Sequence, residues 1–95
     1  MATRLGLLHL ELMIGDAMTL KDKRRVVKGF KDRIAHRRNV SVAEVDYQDQ
    51  RRRSLLAVAM VGSGARYLEG ALQQIVNAAR DNRPWVLLEY SIEIL

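Results

Sequence analysis

The chain has 95 residues, 48% of them hydrophobic and 28% charged, which bounds it to one modest core and excludes a disordered or fibrous protein. It contains no cysteine, so a disulfide framework and a thiolate zinc site are both excluded. Sixteen Lys and Arg against eleven Asp and Glu give a formal charge of +5, a balance that favours a polyanionic partner such as nucleic acid.

The N-terminal residues do not read as a signal peptide, since Arg4 stands alone and His9 and Glu11 interrupt the apolar run that follows it. No apolar stretch approaches the roughly 20 residues needed to span a bilayer. The expectation is a soluble, cytoplasmic protein with no membrane partner. From Leu5 to Ile14 the even positions Leu8, Leu10, Leu12 and Ile14 are all apolar, whereas the odd positions mix Leu7 and Met13 with His9 and Glu11. That period of two predicts a strand with one buried face, broken at Gly15-Asp16.

Thr19 followed by Asp22 has the spacing of a helix N-cap with a short capping box. In the segment behind it, Leu20, Val26, Val27, Phe30 and Ile34 gather on one side of a helix, with Lys21, Arg24, Arg25, Lys28 and Lys31 opposite. Lys23 falls among the apolar positions and is expected to snorkel out from the first turn. Arg37 and Arg38 suit the negative pole of the helix dipole, and Asn39 suits the cap beyond it.

Between Val40 and Asp49 the apolar positions change phase, from Val40 and Val42 to Val45 and Tyr47, which predicts a strand bulged near Ala43–Glu44. Gln50–Arg53 reads as a turn, and LLAVAMV (Leu55 to Val61) as a central strand. Gly62-Ser63-Gly64 punctuates the chain, with Ser63 placed to cap a second helix whose apolar positions are Leu68, Leu72, Ile75, Val76 and Ala79. Asp81-Asn82 and Pro84 end that helix. The last strand alternates, with Val86, Leu88, Tyr90, Ile92 and Ile94 on one side and Leu87, Glu89, Ser91 and Glu93 on the other.

The order βαββαβ predicts an α+β, ferredoxin-like single domain over residues 1–95, with both helices on one face of a four-stranded antiparallel sheet. That topology brings Lys21, Lys23, Arg24, Arg25, Arg51, Arg52, Arg53, Arg80 and Arg83 to one end, together with Asp16, Asp22, Asp49 and Asp81. The surplus at this pole equals the +5 of the whole chain. With Lys28 added from the next turn, these cations form the candidate phosphate-binding set. A helix start adds N–H groups that favour a phosphate, and Trp85 is the one ring nearby for stacking a base. The competing reading is a solvated face, since surface helices are usually charged.

Other constellations are weaker. His9 and Glu11 share a strand face, but a metal needs more ligands than these, and an open polar face explains them. Glu44, Asp46 and Asp49 resemble paired carboxylates without a base or nucleophile; pairing with Arg51–Arg53 across the hairpin explains them. The GSG triplet lacks the Lys-Ser/Thr of a phosphate loop. An RNA recognition motif shares the topology but stacks bases on aromatics of its two central strands, and here those strands carry none. RNA would therefore be held at the pole. The uncovered sheet face offers Leu7, His9 and Met13, beside alternate residues of LLAVAMV, as a surface for a homodimer or another protein.

TLKDKRRVVKGFKDRI, NVSVAEVDYQD and LLAVAMV resemble the YlxP-like family of small bacterial domains of unknown function, with likeness along nearly the whole chain. The resemblance implies a ferredoxin-like fold. It also implies, through the family's gene neighbourhood beside translation and ribosome-binding factors, a role near the ribosome or RNA maturation. It supplies no catalytic residue and no cofactor. Relatives often carry a tryptophan in the hairpin where this chain has Gln50 and arginines, which makes the pole more basic and less aromatic. The expected function is a non-enzymatic RNA- or ribosome-associated factor without cofactor or metal, and the alternative is an interaction or dimerisation module using the sheet face.

Overall fold

In the computed structural model, residues 2–15, 19–81, 83 and 85–95 are described. Asp16, counted with the pole, and Asn82 and Pro84, read as the second helix's stop, lie outside them.

The first strand, β1 (Arg4–Ile14), buries Leu8, Leu10, Leu12 and Ile14, as its alternation demands. Helix α1 (Leu20–Ala35) opens on the expected capping box: the Thr19 hydroxyl accepts from the Asp22 N–H at 3.1 Å, and the Asp22 carboxylate accepts from the Thr19 N–H at 3.3 Å. Its buried stripe is Lys23, Val27, Phe30 and Ile34. Strands β2 (Val40–Asp46) and β3 (Arg53–Gly62) form a hairpin, and α2 (Ala65–Arg80) and β4 (Trp85–Ile94) complete the chain.

All strand pairs are antiparallel, and the sheet order is β2-β3-β1-β4. This is the α+β, ferredoxin-like arrangement. The inward residues of β1 and β3 join Phe30 and Ile34 of α1 and Leu68, Leu72, Ile75, Val76 and Ala79 of α2 in one core cluster. Gly6 sets the closeness of α2 to β1, because a Cβ there would lie 2.8 Å from Leu72 Cδ1.

Four local expectations are corrected. The β2 bulge falls between Glu44 and Asp46, later than the phase change suggested, so Glu44 keeps the register of Val40 and Val42 and stands opposite Leu56 on the helix-covered face. A second bulge interrupts β4 opposite Glu11/Leu12, so Trp85 and Leu87 turn to the core while Val86 pairs with Met13 and stays exposed. Gly64, not Ser63, is the N-cap of α2, and no side chain caps it. Helix α1 ends at Ala35 with His36 as its C-cap, Arg37 takes the left-handed conformation (φ 67°), and the Asn39 amide donates to the Val61 carbonyl at 2.9 Å. Asn39 therefore ties the helix exit to β3 and does not cap the helix.

Candidate nucleic-acid interface

Topology gathers the pole as expected. Ile14 pairs with Trp85 on one side and donates its N–H to the Arg52 carbonyl at 2.8 Å on the other. The ends of β1 and of the β2–β3 hairpin and the start of β4 thus share one end of the sheet. Helix α1 begins there too, since Arg24 reaches Asp49 of the hairpin at 3.9 Å and Leu20 lines a cleft of about 430 Å³ with Asp49, Gln50, Arg51 and Arg52.

The cations of this pole do different things. Lys23 does not snorkel: its side chain is fully buried, and its Nζ donates to the Tyr47 carbonyl at 2.6 Å and lies 2.8 Å from Glu44 Oε2. Ser54 Oγ donates to the same carboxylate oxygen at 2.6 Å. Taking an ammonium out of water costs several kcal/mol, and the pairing with Glu44 and the Tyr47 carbonyl offsets that cost. Lys23 is therefore the bolt that holds α1 to the hairpin, and it is withdrawn from any phosphate.

Arg53 is also engaged. It crosses from β3 to Glu11 of β1 and stacks its guanidinium over the Tyr47 ring at 5.0 Å. Glu44 thus pairs with Lys23 and Ser54 instead of the hairpin arginines, and Asp46 accepts the Tyr47 N–H. Lys28 binds Asp32 at 2.7 Å, on the solvent side of α1.

The exposed cations on the α1 and hairpin side of the pole are Lys21, Arg24, Arg25, Arg51 and Arg52. The two pairs recorded for Arg24 and Arg25, with Asp49 at 3.9 Å and Asp22 at 4.0 Å, are long and solvated, a geometry worth at most about 1 kcal/mol. Arg80 and Arg83 are exposed at the same end, but toward β4 on the far side of the sheet from the hairpin; Arg80 lies over Tyr90 at 5.8 Å.

Two expectations about phosphate and base contacts are corrected. The start of α1 is closed by its own capping box, and the Asp22 carboxyl is held below its usual value, first by the Thr19 N–H, then by the Thr19 hydroxyl, with Arg25 adding to both against a small opposing effect of burial. Two of the N–H groups at the helix start are therefore already taken, one of them by a carboxylate. Trp85 is buried, edge-on to Phe30 at 4.7 Å, with its indole N–H given to the Ala79 carbonyl, so it stacks nothing from outside.

The open sheet face is acidic as well as apolar. Glu11 and Glu89 are directly opposite across β1 and β4, with Glu93 farther along, and a small cleft of about 140 Å³ runs past His9, Glu11 and Ser91. Leu7 and His9 are half-buried, and Met13 is exposed beside Val86. Among the described residues no group of three or more His, Asp or Glu is placed to hold a metal ion. No helix among them is long and apolar enough to cross a membrane.

At the opposite end, a groove of about 830 Å³ lies between the end of α1 and the start of α2, lined by Arg33, His36, Arg37, Arg38, Tyr67 and Gln74 over Met60 and Ala71. In the sequence Arg37 and Arg38 are accounted for by the helix dipole alone. Placing the end of one helix beside the start of the next by the same topology would have brought Arg37 and Arg38 to Tyr67.

Comparison with known proteins bears on the family. A family model described as a protein of unknown function, DUF503, matches residues 5–92. The chain belongs to the DUF503 family. A relative, the uncharacterized protein YlxP of Bacillus subtilis (strain 168), is 36% identical over 72 residues, covering 76% of this chain and 78% of its own length. Among solved structures, the de novo designed protein Foldit4 superposes with a TM-score of 0.57 at 9% identity, over 98% of this chain and 96% of its own. SnoaB, a cofactor-independent oxygenase from Streptomyces nogalater, reaches a TM-score of 0.49 at 9% identity, over 97% and 90% of the two chains. The Foldit4 likeness speaks to the fold. Neither structure brings a reaction to the DUF503 chain.

Proposed function

We propose that this protein is a non-enzymatic accessory factor of the cytoplasm that binds structured RNA, ribosomal RNA in the first place, through phosphate contacts at the hairpin pole. One observation carries the reading. Arg51 and Arg52 of the hairpin line one cleft, Arg24 of α1 reaches its Asp49, and Lys21 and Arg25 stand exposed on the same first turns of the helix, on a base fixed by the buried Lys23–Glu44 pair. Guanidinium groups on a rigid scaffold suit the planar, two-point recognition of phosphate oxygens. The charge is also segregated: cations crowd the helix α1 side, while Glu89 and Glu93 stand on the open sheet face, where Glu11 is matched by Arg53. A polyanion approaching this molecule is steered to one side of it.

A two-fold dimer through the sheet face would have to take Glu89 and Glu93 out of water along with the apolar residues there, a desolvation cost that weighs against it.

Titration of a structured ribosomal RNA fragment at two salt concentrations tests the proposal. Affinity should fall steeply with salt, at roughly 0.9 log units per log unit of salt for each phosphate contacted. The combined change of Lys21, Arg51 and Arg52 to Ala should lower that slope by about 3 if each cation meets one phosphate. Arg53 stays out of this set because it belongs to the sheet. Absent or salt-independent binding would sink the proposal.

A further inference from the structure

We propose that the groove at the far end of α1 receives an unpaired nucleotide of the bound RNA, with the base stacked on Tyr67 and its phosphate held by Arg37 and Arg38. The inference rests on the RNA-binding reading and adds a second site to it. The groove holds about 830 Å³, within the range of small-molecule sites. Its floor is apolar, formed by Met60 and Ala71, and Tyr67 stands at its wall with 69% of its surface exposed. No packing need explains that ring, since the core cluster is complete without it. An exposed aromatic beside an apolar floor is a stacking platform, which every base can use because every base has a π-face.

The charge is complementary to a phosphate. Arginines outnumber acids in the lining, and the one carboxylate there, Asp32, already holds Lys28 at 2.7 Å. Gln74 adds an amide able both to donate to and to accept from a base edge. The backbone points the same way. Arg37 sits at φ 67° just past the helix, a conformation that glycine usually supplies and that strains an L side chain. An arginine kept there at a conformational cost is explained if its guanidinium has work in the groove.

The two sites lie on one track. The pole holds the first turns of α1 and the groove its last, and a helix of 16 residues spans about 24 Å. A segment within the range of about 4–16 nucleotides covered by single-strand binding folds can reach from one to the other.

The test compares a labelled single-stranded RNA of about eight nucleotides with a blunt RNA duplex, by fluorescence anisotropy. Tyr67→Ala should weaken single-strand binding by about 5- to 100-fold and leave duplex binding within about twofold, while Tyr67→Trp restores it. Arg37→Gly should weaken single-strand binding and lower its salt slope by about 0.7, with a urea midpoint at or above that of the wild type because glycine relieves the left-handed strain. The variant lacking Lys21, Arg51 and Arg52 should weaken both probes. If that variant loses both while Tyr67→Ala loses neither, the groove proposal is overturned and the pole reading stands. Equal losses on both probes from Tyr67→Ala would also overturn it, and failure of the wild type to bind either RNA would end both readings.

Discussion

At its first turn α1 is fastened by the Thr19–Asp22 capping box, by Lys23 bonded to Tyr47 and Glu44 beneath it, and by Arg24 leaning toward Asp49. At its last turn the backbone swings into a left-handed arginine, and the cations there stand around an open groove. Both ends are rich in Lys and Arg, yet they use them differently. One end spends a cation on the interior and offers its neighbours on a rigid frame. The other keeps its cations outside and leaves room between the helices. Composition alone therefore does not separate structural charge from binding charge; what separates them is where the opposite charge comes from. Lys23 is internal because β2 delivers Glu44 to it from 21 positions away.

The sharpest way to break this contrast is Lys23→Met, which keeps most of the buried stem and deletes the ammonium. Glu44 would remain as a nearly buried carboxylate with Ser54 alone, and the Tyr47 carbonyl would keep only the Gln50 N–H. Removing one partner of a buried pair costs about 3–5 kcal/mol, a large share of the roughly 5–15 kcal/mol that holds a domain folded. Urea denaturation should show the midpoint falling accordingly. The double variant Lys23→Met/Glu44→Leu should recover part of the loss, since no charge is then stranded. A single variant that loses less than about 0.5 kcal/mol, the level of an ordinary surface substitution, would mean the first turn is held no more firmly than the last.

A smaller effect tests the caps. Thr19→Ala removes a hydroxyl that accepts the Asp22 N–H and should cost about 1 kcal/mol by the same measurement. At the other end His36 occupies the C-cap position through its backbone N–H, which donates to the Asp32 carbonyl. His36→Ala should therefore stay within about 0.5 kcal/mol of the wild type. Equal losses from the two variants would erase the asymmetry between the ends.

The fold was legible because its signals are local and repeated. The even-numbered leucines of β1, the Thr19–Asp22 spacing and the helical spacing from Leu68 to Ala79 each declare an element without reference to the rest of the chain. The bulge of β4 was hidden because Val86, Leu87 and Leu88 are all apolar, so a one-residue slip leaves the pattern intact. The pole was legible as a place but not as a set of roles. Lys23 stood out as the one cation among apolar positions, but choosing between a snorkelling stem and a buried ammonium required Glu44, whose facing depends on the bulge falling after it and not before. Arg53 looked like its two neighbours in sequence, and its place in the sheet opposite Met13 decides that it meets Glu11 instead of solvent. Trp85 could be placed at the correct end from topology, yet its burial depends on the same β4 bulge that hid Leu87.

The smallest effect isolates the electrostatic part of the first-turn anchor. The Asp22 carboxyl is held below its usual value near 3.8, chiefly by the Thr19 N–H and then by the Thr19 hydroxyl, with the charge of Arg25 assisting and slight burial opposing. A carboxyl whose folded value is depressed contributes stability above its unfolded value, and that contribution drains away as the pH falls through the folded one. Replacing Asp22 with Asn keeps an oxygen acceptor and removes the titration. The stability gap between the wild type and Asp22→Asn should therefore be steady from about pH 7 to about pH 5 and close as the pH drops below about 4. Urea midpoints collected across that range read it directly. A gap that stays open in acid would assign the role of Asp22 to the shape of the hydrogen bond and not to its charge, and the first turn would then be anchored by geometry and by Lys23 alone.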